Sequence, residues 1–195
     1  MHGLVNRALQ GFLTDTYGQD TWDEVRNQAG LPFDGFEAML QYKDRQTGEV
    51  IAAACHLLHR DRASLLEDLG TYLLSHPNQQ ALRRLMRFGG ETFFDFLQSL
   101  DDLAGWARLA LPDLDAPEFT VHQLDRSRFR LDIRWRLPGA GPVFVGALRA
   151  MADDYGALAF FEAGRAGRGV ETVAIELVDQ DFSPGRSFSL AGCAG

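Results

Sequence analysis

Residues 128–137 read RFRLDIRWRL. Phe129, Leu131, Ile133, Trp135 and Leu137 fall on one side of an extended chain, and Arg128, Arg130, Asp132, Arg134 and Arg136 on the other. A period of two with one apolar face specifies a half-buried antiparallel strand. The stretch decides the fold class because everything before residue 116 has a helical period instead. Leu4, Ala8, Leu9, Phe12 and Leu13 form one stripe; Trp22, Val25 and Ala29 form another, closed by Gly30 and Pro32. Residues 50–58 are a buried apolar run. Ser64-Leu65-Leu66-Glu67 has the pattern of a capping box. It opens a helix carrying Leu65, Leu66, Leu69, Tyr72 and Leu73 that stops at His76-Pro77. A short basic helix over 79–87 and a long helix through FGGETFFDFLQSLDDLAGWARLAL, residues 88–111, follow. After the strand, PGAGP breaks the chain. A helix then carries Val143, Phe144, Ala147, Leu148, Met151 and Tyr155, and strands near 157–162 and 171–178 flank the loop AGRAGRG. The expectation is an α+β fold in one domain. A helical lobe spans 1–115, a smaller lobe with an antiparallel sheet and a helix spans 116–182, and 183–195 form a loose polar tail.

The 195 residues are 46% hydrophobic and 24% charged, enough for one sizeable core. The formal net charge is −8, so the surface repels phosphate backbones and nucleic acid is not an expected partner. No apolar run reaches the ~20 residues that span a bilayer. The opening MHGLVNRALQGFLTDTYG carries Asn6, Arg7 and Gln10, which makes it an amphipathic helix and not a signal-peptide core. Cys55 and Cys193 form neither a disulfide framework nor a CxxC pair, and the expected compartment is the reduced cytoplasm.

Catalytic motifs are absent: the chain has no Gly-x-Ser-x-Gly elbow, HExxH or P-loop, and no enzymatic activity is expected. Cys55, His56 and His59 approach metal-ligand spacing but lack a fourth ligand, and Cys55 follows an apolar run that reads as core. His76 stands at a helix end, where a capping role is expected. His122 lies on an exposed strand position. Gly164–Gly169 precedes a strand and reads as a hairpin turn, not a phosphate cradle. Asp101-Asp102 and Asp153-Asp154 diverge on their helices and read as solvated surface. The arginines of residues 128–136 form an outer sheet face that either is solvated or meets an acidic partner, and they discourage edge pairing.

Element order and several local patterns resemble the H-NOX family, the haem nitric oxide/oxygen binding domains of bacterial sensors and soluble guanylate cyclase. MHGLVNRAL resembles its opening helix, YGQDTWDEV the next segment, FLQSLDDL with LPDLDAPEF the segment of the haem ligand, and GPVFVGAL a helix of its C-terminal lobe. In that family a histidine ligating the iron follows a leucine on this helix. Here the matching dipeptide is Leu103-Ala104. Independently, Leu97, Leu100, Ala104 and Ala107 share one helix face, so position 104 points at the core. The family's Tyr-x-Ser-x-Arg motif, which holds the haem propionates, matches Ile133, Trp135 and Leu137. An anion in a cavity needs donors, and these side chains offer only one indole N–H.

The resemblance therefore implies a sensory or regulatory domain whose family cofactor is haem, but whose residues lack its ligand and clamp; no cofactor is expected. The expected working part is a cavity lined by Leu100, Leu103, Ala104, Ile133, Trp135, Leu137 and Val143. It would take an apolar small molecule or lipid, or else be collapsed while the protein docks a signalling partner, a histidine kinase or diguanylate cyclase by family analogy. The alternative is a haem gas sensor with a displaced ligand, His76.

Overall fold

The computed structural model describes residues 1–110, 112–167 and 169–186. Cys193 and most of the expected tail, 187–195, lie outside them. Seven helices precede or interleave with four strands among these residues: α1 (Gly3–Tyr17), α2 (Gln19–Gln28), α3 (Asp44–Leu58), α4 (Arg62–Ser75), a 3₁₀ turn (Pro77–Gln79), α5 (Gln80–Arg87), α6 (Phe93–Ala110), β1 (Glu118–Gln123), β2 (Arg128–Arg134), α7 (Gly141–Tyr155), β3 (Leu158–Gly167) and β4 (Val170–Asp179). Two helix starts differ from the sequence expectation. Asp61, not Ser64, caps α4: its carboxylate accepts from the Ser64 backbone N–H (2.9 Å) and from Ser64 Oγ (2.6 Å). A carboxylate is the better acceptor at the positive end of a helix dipole. Ser64 lies in the first turn, and Glu67 reaches Arg149 of α7 at 3.2 Å. Helix α6 begins five residues later than expected because Thr92 and Asp95 form a capping box. The Asp95 N–H donates to Thr92 Oγ1 and the Thr92 N–H to Asp95 Oδ2, each at 3.1 Å.

The sheet is antiparallel in the order β1-β2-β4-β3. Strand β2 is therefore interior, and its arginines guard no edge. On the outer face Asp132 accepts from Arg130 Nε (2.8 Å) and lies 3.2 Å from His122 Nε2. The strand ends at Arg134, so the alternation of residues 128–137 outlasts the hydrogen-bonded ladder. Trp135 is half-buried and Leu137 buried in an irregular linker over 135–140. AGRAGRG is not a loop: β3 runs through it to Gly167, pairing Ala163 with Val173 and Arg165 with Glu171. Asp125 organises the β1–β2 turn, accepting from the backbone N–H groups of Ser127 and Arg128 and from Arg128 Nε. These bonds hold its carboxyl down at about 2.

The apolar core divides into two clusters, and the division is not at residue 116. One joins α1–α4 with Leu137, Ala140 and Val143. The other joins Phe93, Phe96, Leu97 and Leu100 of α6 with Phe129, Leu131, Ile133, Val173 and Ile175 of the sheet and with α7. Helix α6 sides with the sheet because its apolar stripe needs a facing surface, which the inner sheet face supplies. Asp154 is also displaced from expectation. It is buried, and it accepts from Arg83 Nε of α5 at 2.8 Å, whereas its neighbour Asp153 is exposed.

Helices α4 and α7 cross backbone to backbone. A methyl group added to Gly70 would overlap the Val143 carbonyl, and one added to Gly146 would overlap the Glu67 carbonyl. Gly146→Ala should therefore destabilise the protein by about 1–3 kcal/mol through overpacking, against alanine's intrinsic helix advantage of ~1 kcal/mol. Gly48→Ala on α3, where the added methyl meets open space, should stabilise by about 0.5–1 kcal/mol. Denaturant midpoints of the two variants check the pair. A Gly146→Ala midpoint at or above that of the parent would refute the close crossing.

Candidate functional site

The face of α6 that carries Leu100, Leu103, Ala104 and Ala107 opens on a cavity of about 450 Å³. Spacings of three and four put these side chains on one stripe. The opposite walls come from Leu4 and Ala8 of α1, Ile51 of α3, Leu69 and Leu73 of α4, and Val143 and Ala147 of α7. The α4–α7 crossing thus forms one side of the chamber. Phe119 of β1 and Leu131 of β2 close the sheet end. The volume is within the ~300–1,000 Å³ usual for small-molecule sites.

No Asp, Glu, Lys, Arg, His, Cys or Tyr lines the cavity among the described residues. The polar groups at its wall are engaged elsewhere. Thr47 Oγ1 donates to Asn6 Oδ1 at 2.6 Å, Gln79 Nε2 to the Tyr72 hydroxyl at 3.4 Å, and Trp135 Nε1 to the Asp115 carbonyl at 2.8 Å. The chamber therefore offers dispersion and exclusion of water, and no directed bond or titrating group.

Six of the seven residues expected at the cavity line it: Leu100, Leu103, Ala104, Trp135, Leu137 and Val143. Ile133 does not. It points into the sheet cluster, paired between Phe119 and Glu171, because it is still within β2. Trp135 and Leu137 reach the cavity from the linker, not from a strand. His76 is also absent from the wall. Its ring stacks on Tyr72 with centroids 4.7 Å apart, and its Nδ1 accepts from the Asn78 N–H at 3.3 Å and lies 3.7 Å from Asp15. Hydrogen bonds from Tyr72 and Asn78 hold the Asp15 carboxyl below its usual range. Cys55, His56 and His59 do not come together as a metal site, and no group of three His, Cys, Asp or Glu suited to a metal occurs among the described residues. Burial pushes the Cys55 thiol up.

Sequence reasoning missed the roof. Leu82, Leu85 and Met86 of α5 line the cavity, at the i, i+3, i+4 spacing that their order in QALRRLMR already shows. Helix α5 buries none of its own residues; Leu85 is 38% exposed and the adjoining Phe88 62%. What ties it down is the pair of Arg83 with the buried Asp154. Arg87 adds a second contact near this carboxylate, and its guanidinium lies 3.9 Å over the Tyr155 ring. Burial pushes the Tyr155 hydroxyl up.

Haem iron takes histidine, cysteinate, tyrosinate, or methionine together with histidine. The wall offers a single thioether, Met86, and no cation for two propionates. This donor set does not fit haem.

The family model described as Haem-NO-binding matches residues 2–159. Soluble guanylate cyclase gcy-31 of Caenorhabditis elegans is 26% identical over 155 residues, 79% of this chain and 22% of that protein. Soluble guanylate cyclase 89Db of Drosophila melanogaster is 20% identical over 80% of this chain and 23% of its own length. The chain spans less than a quarter of these curated relatives. Among solved structures, the Fe(II) unliganded H-NOX protein from K. algicida superposes with a TM-score of 0.80 at 13% identity, over 94% of this chain and 100% of that one. An H-NOX protein from S. oneidensis in the Fe(II)NO state gives 0.76 at 14% identity, over 92% and 100%. With the helices, the four-stranded sheet and α7 in the arrangement of those structures, and a family match over most of its length, the chain belongs to the Haem-NO-binding, or H-NOX, family of sensory domains.

Proposed function

We propose that this domain senses an apolar small molecule without haem and relays its occupancy to a signalling partner. The observation that carries this is the cavity itself: about 450 Å³, walled by aliphatic and aromatic side chains, among them Ala104, the residue that by resemblance matches the family's iron ligand. An apolar molecule gains about 25 cal/mol per Å² of surface withdrawn from water. No group on the wall has to be desolvated for it to enter. Association with a histidine kinase, a diguanylate cyclase or a cyclase region is the family analogy; the chain itself reads as the non-catalytic sensor part, in the cytoplasm. No described helix is long and apolar enough to cross a membrane.

Two measurements test the reading. The purified protein mixed with haem should show no Soret band approaching one haem per chain. A stoichiometric band would overturn haem independence, and its loss in His76→Ala would identify the displaced ligand. Binding of an apolar ligand to the folded state alone should raise Tm. A ligand at one hundred times its Kd adds ~2.7 kcal/mol, which at ~2–4 °C per kcal/mol is a shift of about 5–10 °C. 1-Dodecanol is a suitable probe, and Ala104→Phe, which fills the chamber, should abolish the shift. An unchanged Tm in the parent protein would exclude an open, usable cavity.

A further inference from the structure

A second concavity, about 630 Å³, lies back to back with the apolar chamber. Three elements separate the two with a single layer of residues. On α3, Thr47 faces the chamber and the adjacent Gly48 faces the second cleft. On α7, Val143 faces the chamber and Pro142 the cleft. Leu137 of the linker lines both. The cleft differs from the chamber in chemistry, for Arg62, Arg136 and Arg165 line it.

Its two carboxylates are already engaged. Asp44 accepts from the Met1 ammonium (2.6 Å) and from Arg136 Nη2 (3.0 Å); the ammonium bond is the main reason its carboxyl sits below the usual range. Glu171 caps the start of α7, accepting backbone N–H groups of Gly139, Ala140 and Gly141. Arg136 is shared between Asp44 and Asp115. The Arg62 side chain makes one hydrogen bond, to the Pro138 carbonyl at 2.9 Å, and the Arg165 side chain has no hydrogen bond or ion pair among the described residues. Two guanidiniums thus remain without an ion-pair carboxylate beside an apolar chamber. Guanidinium forks match carboxylate and phosphate oxygens.

We propose that chamber and cleft form one amphipathic site for a single-chain lipid anion, with its alkyl tail in the chamber and its head between Arg62 and Arg165. This rests on the apolar-ligand reading above and specifies its ligand. The size agrees. At ~30 Å³ for a group the size of water, the chamber holds about fifteen such groups. That is the scale of one alkyl chain and too little for two. The wall between the compartments is thin where it must yield. Leu137 sits on an irregular linker held by side-chain bonds to Pro138, Gly139 and Ala140, so its side chain can swing without breaking a helix or strand.

The test compares laurate, dodecyl phosphate and 1-dodecanol, equal in chain length, by titration calorimetry against the whole protein and two variants. One variant is the double substitution Arg62→Gln/Arg165→Gln, exposed positions whose loss spares the core; the other is Ala104→Phe. Either anion should bind about tenfold more tightly than the alcohol at low salt. The preference should shrink as salt rises and vanish in the arginine variant, while Ala104→Phe should abolish binding of all three. The tighter anion identifies the head. Equal binding of anion and alcohol, indifferent to the arginines, would overturn the head assignment and leave the apolar chamber standing. Anion binding that survives Ala104→Phe would place the ligand on the surface and overturn the joined site. No binding of any probe would overturn both readings.

Discussion

Gly70 and Gly146 let α4 and α7 meet with no side chain between their backbones, and the rest of the architecture depends on that contact. Glycine inside a helix costs about 0.5–1 kcal/mol relative to alanine, so two of them at one crossing are retained against local preference. The return is tertiary. Helix α4 contributes Leu65, Leu66 and Leu69 to the α1–α4 cluster and Leu74 to the sheet cluster; α7 contributes Val143 to the first and Leu148 and Met151 to the second. Where the two helices touch, both clusters are fixed relative to each other. Leu69, Leu73, Val143 and Ala147 flank the crossing and become a rigid wall of the chamber.

That rigidity gives the chamber's chemistry its meaning. A packed interior leaves few voids larger than a water molecule, and an apolar void of this size forfeits dispersion contacts along its whole lining. The fold keeps it open because its walls belong to eight different helices and strands, packed into or against two separate clusters. The same walls carry the proposal that the domain works without the family's cofactor, for their side chains offer contact area and no directed bond. Ala104, Trp135 and Leu137 supply that wall with contact area instead of directed bonds. The indole of Trp135 adds ring area beside Phe144 while its N–H is spent on the Asp115 carbonyl.

Local pattern made some of this legible and hid the remainder. The inward aim of Ala104 follows from spacings of three and four, and the strand over Arg128–Arg134 from its alternation. The α6 spacing made Leu100 and Ala104 readable at the wall. The alternation misled beyond Arg134, because a period of two persists in a linker that merely lies on the same core, and it misled about Ile133, whose side of β2 faces the sheet cluster. Ser64 was mistaken for a cap because its hydroxyl pattern is local, while the better acceptor stands three residues earlier. Partnerships across long sequence separations left no local trace. Arg83 reads as one charge on a basic helix and Asp154 as one of a surface pair until α5 and α7 are brought together. Gly70 and Gly146 look like ordinary small residues until the helices cross.

Helix α5 has a kinetic consequence. It roofs the chamber with three apolar side chains yet buries none of its own residues, and it is fastened by Arg83 to the carboxylate of Asp154. Segments with so little buried surface open at a small fraction of the free energy of global unfolding. Entry and escape would then proceed by local lifting of α5 while both clusters stay folded, and residence time would follow the frequency of that opening, not the total contact area within. Asp154 also accepts, through its backbone carbonyl, the N–H of Arg186 at 2.9 Å. The residue that fastens the roof is therefore also the residue to which the segment following β4 is bonded. On the proposed reading, the rate at which the roof opens would set the tempo at which the segment following β4 registers a ligand in the chamber.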